Sequence, residues 1–223
     1  MKEIPSIPFG RPWIANSERE AVQKVLEGHI LTHGAKCKEF EDAFTQFVGG
    51  DACCLAVSSC MSALHLAYLQ MGIGLGDEVI VPAQTHTATV HAVELVGATP
   101  IFVDCDLQTG NMNCERIEAA ITINTKAIGL VHFLGVPCDM DQIFHIADQH
   151  QLKIIEDCAL AVGARYKSKH VGLFGDVGCF SFYPVKHITT GEGGMFVTRH
   201  SDVGEQISKL RAFGVDRSHS ERN

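Results

Sequence analysis

Residues 54–104 read CLAVSSCMSALHLAYLQMGIGLGDEVIVPAQTHTATVHAVELVGATPIFVD, and they alternate between two hydrophobic periods. Cys54–Val57 is a short apolar run that predicts a strand, whereas Ser62–Met71 is nearly all apolar over a length that suits a buried helix. Glu78–Pro82 predicts a second strand, Thr87–Val96 a helix and Pro100–Val103 a third strand. Repeats of this kind build crossover units, and so an α/β fold with a mostly parallel sheet covered by helices on both faces.

The alternation continues downstream. Glu115–Ile121 predicts a helix and Ala127–His132 a strand. Asp139 caps a helix that places Ile143, Phe144 and Ala147 inside, and Leu152–Asp157 follows as a strand. Cys179–Tyr183 alternates as a buried strand that Pro184 ends, because proline cannot donate to a ladder. Too little chain joins it to the strand Met195–Thr198 for a crossover helix, so that pair is antiparallel or linked by an irregular loop. Ser201 caps a last helix containing Ile207 and Leu210, and a polar run leads to Asn223. Upstream, Ser17 with Glu20 reads as a capping box for a helix to about Gly28 whose Val22, Val25 and Leu26 face inward. Cys37, Phe40, Phe44 and Phe47 stripe a second helix closed by Gly49–Gly50.

The chain has 223 residues, 46% hydrophobic and 20% charged, enough for one large globular domain. A net charge of −8 excludes broad attraction to nucleic acid, so a phosphorylated ligand would need locally placed donors. Nine cysteines without a C-x-x-C pair fit reduced thiols in the cytoplasm. MKEIPSIPFG has no apolar leader core, and no apolar run is long enough to span a membrane.

Parallel sheets bind ligands at the carboxyl ends of their strands. Four features stand there. Ser58–Ser62 joins a strand to a helix start, where free backbone N–H groups and the helix dipole can cradle a phosphate. Glu156 and Asp157 end a strand and point to opposite faces. His86 and His132 each follow a strand and offer a flat ring. Lys186 follows Cys179–Tyr183 and precedes a glycine-rich turn; rigid, partly desolvated placement favours a nucleophilic amine. Each alone also fits an ordinary role: a serine N-cap, a loop-facing carboxylate, a structural histidine, a surface lysine. The P-loop lysine motif and the G-x-G-x-x-G fingerprint are absent, which argues against a nucleotide hydrolase and against a nicotinamide-binding domain. Cradle, carboxylate, flat ring and lysine together are what pyridoxal phosphate needs: phosphate anchors, an acid on the pyridinium nitrogen and a Schiff-base lysine.

The chain resembles the DegT/DnrJ/EryC1/StrS family of sugar aminotransferases, of aspartate-aminotransferase fold type I. The matching stretches are IPFGRPWI, LTHGAKCKEFEDAF, residues 56–104, VHFLGVPCDM, IIEDCALAVGA and SFYPVKHITTGEGGMFVT, in order along nearly the whole chain. The resemblance implies the fold-type-I large domain, with a mostly parallel seven-stranded sheet between helices. Residues 1–35 would be an N-terminal arm and helix and residues 36–223 the cofactor-binding domain, with the small C-terminal domain missing. It implies Lys186 as the Schiff-base lysine, Asp157 as the pyridinium partner and His86 as the ring-stacking group. Ser59, Cys60 and Met61 with Ser181 would hold the phosphate, and no residues are assigned to a metal.

The implied reaction is transamination of a nucleotide-linked keto-sugar by an amino-acid donor, glutamate, for amino-sugar and surface-polysaccharide synthesis. The implied assembly is a cytoplasmic homodimer without nucleic-acid or membrane partners. Relatives that dehydrate sugars carry histidine where Lys186 stands, so the lysine favours transamination. The sequence departs from the family pattern in three places. Cys60–Met61 replaces Gly or Ala followed by Thr, Leu160 replaces Gln or His, and the chain stops short of the small domain. The last departure carries the alternative expectation of a truncated, inactive cofactor-binding fragment.

Overall fold

The structure, a computed structural model, describes residues 10–215; residues 1–9 of the expected arm and the polar run 216–223 lie outside the described residues. Two helices, α1 (Asn16–Leu26) and α2 (Ala35–Val48), precede the sheet. β1 (Cys53–Val57), α3 (Cys60–Gln70), β2 (Glu78–Pro82), α4 (Thr87–Leu95) and β3 (Thr99–Val103) carry out the alternation read in residues 54–104. α5 (Cys114–Ala120), β4 (Thr125–Val131), α6 (Met140–His150) and β5 (Lys153–Asp157) extend it. A two-residue hairpin, β6 (Arg165–Tyr166) with β7 (Lys169–His170), has no counterpart in the hydrophobic pattern, because strands so short carry no period. β8 (Val177–Ser181), β9 (Gly194–Thr198) and α7 (Ser201–Leu210) complete the described chain.

The seven-stranded sheet has the order β1-β9-β8-β5-β4-β2-β3. β8, β5, β4, β2 and β3 pair in parallel, and β9 runs antiparallel to both β8 and β1, as the short β8–β9 link requires. Strand alternation sends Val79, Val81 and Ile155 to a core under α3, α4 and α7, and Ile80 and Ile154 to a second core under α5 and α6. α2 covers a third cluster in which Phe44 packs edge-on against Phe180 and Phe182. β1 is an edge strand whose Ala56 N–H is accepted by Glu41 (3.0 Å) and whose Ala56 carbonyl accepts from Arg211 (2.9 Å). Glu41 and Arg211 also pair with each other, so two side chains satisfy the open edge at Ala56.

Several local expectations change. α1 is capped at Ala15, not Ser17: the Ala15 N–H donates to the Glu18 carboxylate at 2.7 Å, and Glu20 makes no such bond. No residue of α1 is buried, and Val22 and Leu26 are 59% and 65% exposed, so its apolar face meets solvent rather than this core. His200, not Ser201, is the N-cap of α7, and it makes no side-chain capping bond. Phe144 lies at the rim of α6, 38% exposed, leaning on Phe174. Among the described residues, no helix is long and apolar enough to cross a membrane.

Candidate active site

The turn from β1 to α3 is built by hydroxyls. Ser59 is extended (φ −165°, ψ 166°), and its Oγ accepts from the Ser62 N–H at 3.0 Å while its carbonyl accepts from Ala63 N–H at 3.1 Å. That leaves the first-turn amides of Cys60 and Met61 without an intrahelical acceptor, at the positive end of the helix. Gly194 of β9 passes directly beneath: a Cβ there would lie 2.4 Å from the Ser59 carbonyl carbon and 2.6 Å from the Cys60 nitrogen. Only glycine lets the antiparallel strand run this close to the turn.

β5 ends in the two carboxylates, and alternation separates them as expected. Glu156 is fully buried and accepts from four donors: His132 Nε2 (2.9 Å) and the N–H groups of Gly172 (2.7 Å), Phe174 (2.8 Å) and Gly175 (2.6 Å). His132 Nδ1 accepts from Cys138 N–H at 3.1 Å, so its proton sits on Nε2 and faces Glu156. His132 is therefore structural: it ties β4 to β5 and does not face a ligand. Ligand atoms of His132, Glu156 and Cys158 lie within 4.8 Å of one another, but a cation there would displace those N–H donors. Burial, with Glu156 and Asp157 adding to it, also holds the Cys158 thiol well above its usual pKa and so neutral.

Asp157 faces the α3 and α4 side and is 5% exposed. Its Oδ2 accepts from Thr89 Oγ1 at 2.8 Å and its Oδ1 from Ala159 N–H at 3.0 Å. The Cys60 thiol lies 3.8 Å from Oδ1 and donates to the Cys179 carbonyl at 3.4 Å. Burial pushes the Cys60 thiol well above its usual pKa, Asp157 and Cys179 push it further, and the Lys186 charge pulls it back. Cys60, Asp157 and Lys186 thus share one electrostatic neighbourhood.

Lys186 is half-buried on the loop after β8, where its N–H donates to the Tyr183 carbonyl at 2.9 Å. The loop is pinned back on Phe182, whose carbonyl accepts from Thr190 N–H (3.0 Å) and Thr189 Oγ1 (2.9 Å). Ser181 is buried, and its Oγ accepts from Tyr183 N–H at 3.4 Å, which leaves the hydroxyl proton free to donate elsewhere. His86 is the N-cap of α4; its Nδ1 accepts from Ala88 N–H at 3.1 Å, and the ring is exposed one turn before Thr89. Leu160 is half-exposed, and its carbonyl would lie 3.0 Å from a Cβ on Gly135. Next to the β1–α3 turn lies a cleft of about 740 Å³, lined by Ser58, Ser62, His65, Thr190, Gly194 and Arg211 among others but not by Asp157 or Lys186; small-ligand sites span roughly 300–1,000 Å³.

The residues fit pyridoxal phosphate by their chemistry. Two unpaired amides and a hydroxyl suit a phosphate, a buried carboxylate suits a protonated ring nitrogen, and Lys186 on the loop after β8 offers an amine whose charge is felt at Cys60. Sequence reasoning missed Thr89 and the Cys179 carbonyl, which reach the site from within a buried helix and a buried strand. A threonine in the apolar run THTATVHAVEL carries no sign that its hydroxyl meets a strand 68 residues away.

The sequence pattern of the DegT/DnrJ/EryC1/StrS aminotransferase family matches residues 12–223. GDP-perosamine synthase of Caulobacter vibrioides is 43% identical over 217 residues, 97% of this chain and 58% of that protein. The spore coat polysaccharide biosynthesis protein SpsC of Bacillus subtilis is 41% identical over 212 residues, 95% of this chain and 54% of that one. A Streptococcus pneumoniae protein solved in PLP and PMP forms superimposes with a TM-score of 0.87 at 33% identity, over 92% of this chain and 56% of the other. The chain therefore spans a little over half the length of the relatives it matches.

Proposed function

The chain belongs to the DegT/DnrJ/EryC1/StrS aminotransferase family, and from that premise we propose that it forms the pyridoxal-phosphate site of a nucleotide-sugar aminotransferase. The observation that carries the proposal is the buried Asp157 carboxylate, 3.8 Å from the Cys60 thiol and beside the unpaired amides that open α3. Bound pyridoxal phosphate would supply an electron sink through which an amino group passes from donor to acceptor. The Cys60 and Met61 amides and the Ser181 hydroxyl bind the phosphate oxygens, the positive end of α3 adding to the attraction. Asp157, 5% exposed, would accept the N–H of the pyridine nitrogen and hold that proton in place. His86 would cover one face of the ring. Lys186 would hold the cofactor covalently through its amine and would serve as the base for the donor's Cα proton.

The acceptor in this reading is a nucleotide-linked keto-sugar and the donor an amino acid, glutamate, in amino-sugar and surface-polysaccharide synthesis. The names of the Caulobacter and Bacillus relatives support that class. Exposed apolar residues on α1 support a homodimer, and nine free cysteines support a reducing, cytoplasmic setting.

The test is borohydride reduction of protein incubated with pyridoxal phosphate, followed by peptide mapping. The label is expected on Lys186, and a label on another lysine overturns the assignment. Incubation with glutamate and a panel of nucleotide keto-sugars then reads the reaction. Labelling without any aminated product would favour a chain that binds cofactor only.

A further inference from the structure

We propose that Thr89 is a positioning residue that orients the Asp157 carboxylate toward the cofactor ring; the proposal rests on the reading of Asp157 given above. Thr89 is 0% exposed and Asp157 5% exposed, so water does not supply substitute donors. An ionised carboxylate only accepts, so the 2.8 Å contact between Thr89 Oγ1 and Asp157 Oδ2 has Thr89 donating. That donation uses the single proton of Thr89. The 2.8 Å contact between Thr85 Oγ1 and Thr89 Oγ1 must then run from Thr85 to Thr89. The result is a relay whose direction is set by the charge on Asp157.

The geometry explains why Thr89 matters. The terminal torsion of an aspartate is broad, so one donor does not fix the carboxylate plane. Ala159 N–H holds Oδ1 at 3.0 Å, and Thr89 holds the other oxygen. Two donors on two oxygens, one from β5's end and one from a packed helix, stop the rotation. What remains is the lone-pair direction facing the α3 side, where Cys60 approaches Oδ1 at 3.8 Å. Sites built on rigid elements with such supporting bonds are more precise than sites on loops. His86 caps the same helix, so α4 would align both the ring-covering group and the carboxylate's anchor.

The test compares wild type, Thr89→Val, Thr89→Ser, Asp157→Asn and the Thr89→Val/Asp157→Asn pair. Pyridoxal phosphate binding is read by equilibrium dialysis, the absorbance maximum of the borohydride-reducible band is recorded, and urea midpoints report the fold. Thr89→Val, which keeps the shape and removes the hydroxyl, is expected to weaken binding roughly ten- to a hundredfold, the span of a hydrogen bond to a charged group, and to move the band. Thr89→Ser is expected to restore both. In the Asp157→Asn background Thr89→Val is expected to add less than about threefold, because the two act as one unit. If Thr89→Val does not fold, Thr89→Ala takes its place with the same expected loss. Wild-type binding retained by Thr89→Val, failure of serine to restore, or full additivity with Asp157→Asn each overturns the Thr89 assignment alone. Wild-type protein that holds no cofactor overturns the functional reading, and the role of Thr89 with it.

Discussion

At the scale of single residues, the site depends on one close approach and one set of committed protons. Gly194 pairs with Ser181 on one side and Val57 on the other, and it lies under the Ser59–Cys60 peptide. A methyl group 2.4 Å from the Ser59 carbonyl carbon meets backbone, not a flexible side chain that could turn away. Gly194→Ala is therefore expected to cost about 1–3 kcal/mol of stability, the range for overpacking a close-packed interior. It should also loosen phosphate binding, because the amides of Cys60 and Met61 would be displaced. Urea denaturation with parallel cofactor dialysis checks both effects. Unchanged stability would mean that β9 can slide away from the turn. Thr89 belongs at the same scale: its hydroxyl is invisible in a helical apolar run and becomes meaningful only once β5 lies beside α4.

Among the elements, the β6–β7 hairpin gives the fold a pH dependence. His170 on β7 is 1% exposed; Nδ1 donates to the Val171 carbonyl at 2.5 Å and Nε2 accepts from Gly163 N–H at 3.0 Å. The Nε2 contact needs the neutral ring, because a protonated Nε2 cannot accept, whereas the Nδ1 bond survives protonation; the ring also packs edge-on against Phe47. Burial, with Arg165 adding to it, lowers the His170 pKa below 6.5 against the Val171 bond. As pH falls, the unfolded chain binds the proton first. The stability His170 confers is thus fully present above about pH 6.5 and is lost as pH drops through that value, by at most about 1.4 kcal/mol per pH unit until the folded ring also protonates. Urea midpoints from about pH 5 to about pH 8 should fall on the acid side in wild type. His170→Gln, which can keep both hydrogen bonds without titrating, should remove one proton from that slope. An identical acid slope in the two proteins would place the titration elsewhere.

For the whole molecule, the informative surface is α1 and the segment before α2. Trp13 is 87% exposed, Val22 59%, Leu26 65% and Leu31 61%, an apolar face with no core beneath it. Exposed apolar residues gathered on one helix and its flanks favour a contact site or association. The chain is expected to self-associate with rising concentration, as read by sedimentation velocity. Trp13 is the one tryptophan, so its emission should shift to the blue in step with association. A monomer at all concentrations with unshifted emission would show that this face stays solvated.

The alternation of apolar runs determined the crossover units, narrowed the β8–β9 pair to an antiparallel or irregular link, and put Ser59, His86, Asp157 and Lys186 near strand ends, because hydrophobic period and turn chemistry are local properties. Local pattern failed where a partner from elsewhere decides the outcome. The periodic face of α1 reads as buried, yet burial needs a second surface, and the described residues provide none. Ser17 and Ser201 look like caps, but the chain's entry path put Ala15 and His200 at those positions. Tertiary structure alone decided that His132 serves Glu156, that Glu41 and Arg211 close the edge of β1, and that Thr89 grips Asp157. Each is a hydrogen bond between residues far apart in sequence, and such bonds leave no periodic trace in the chain that makes them.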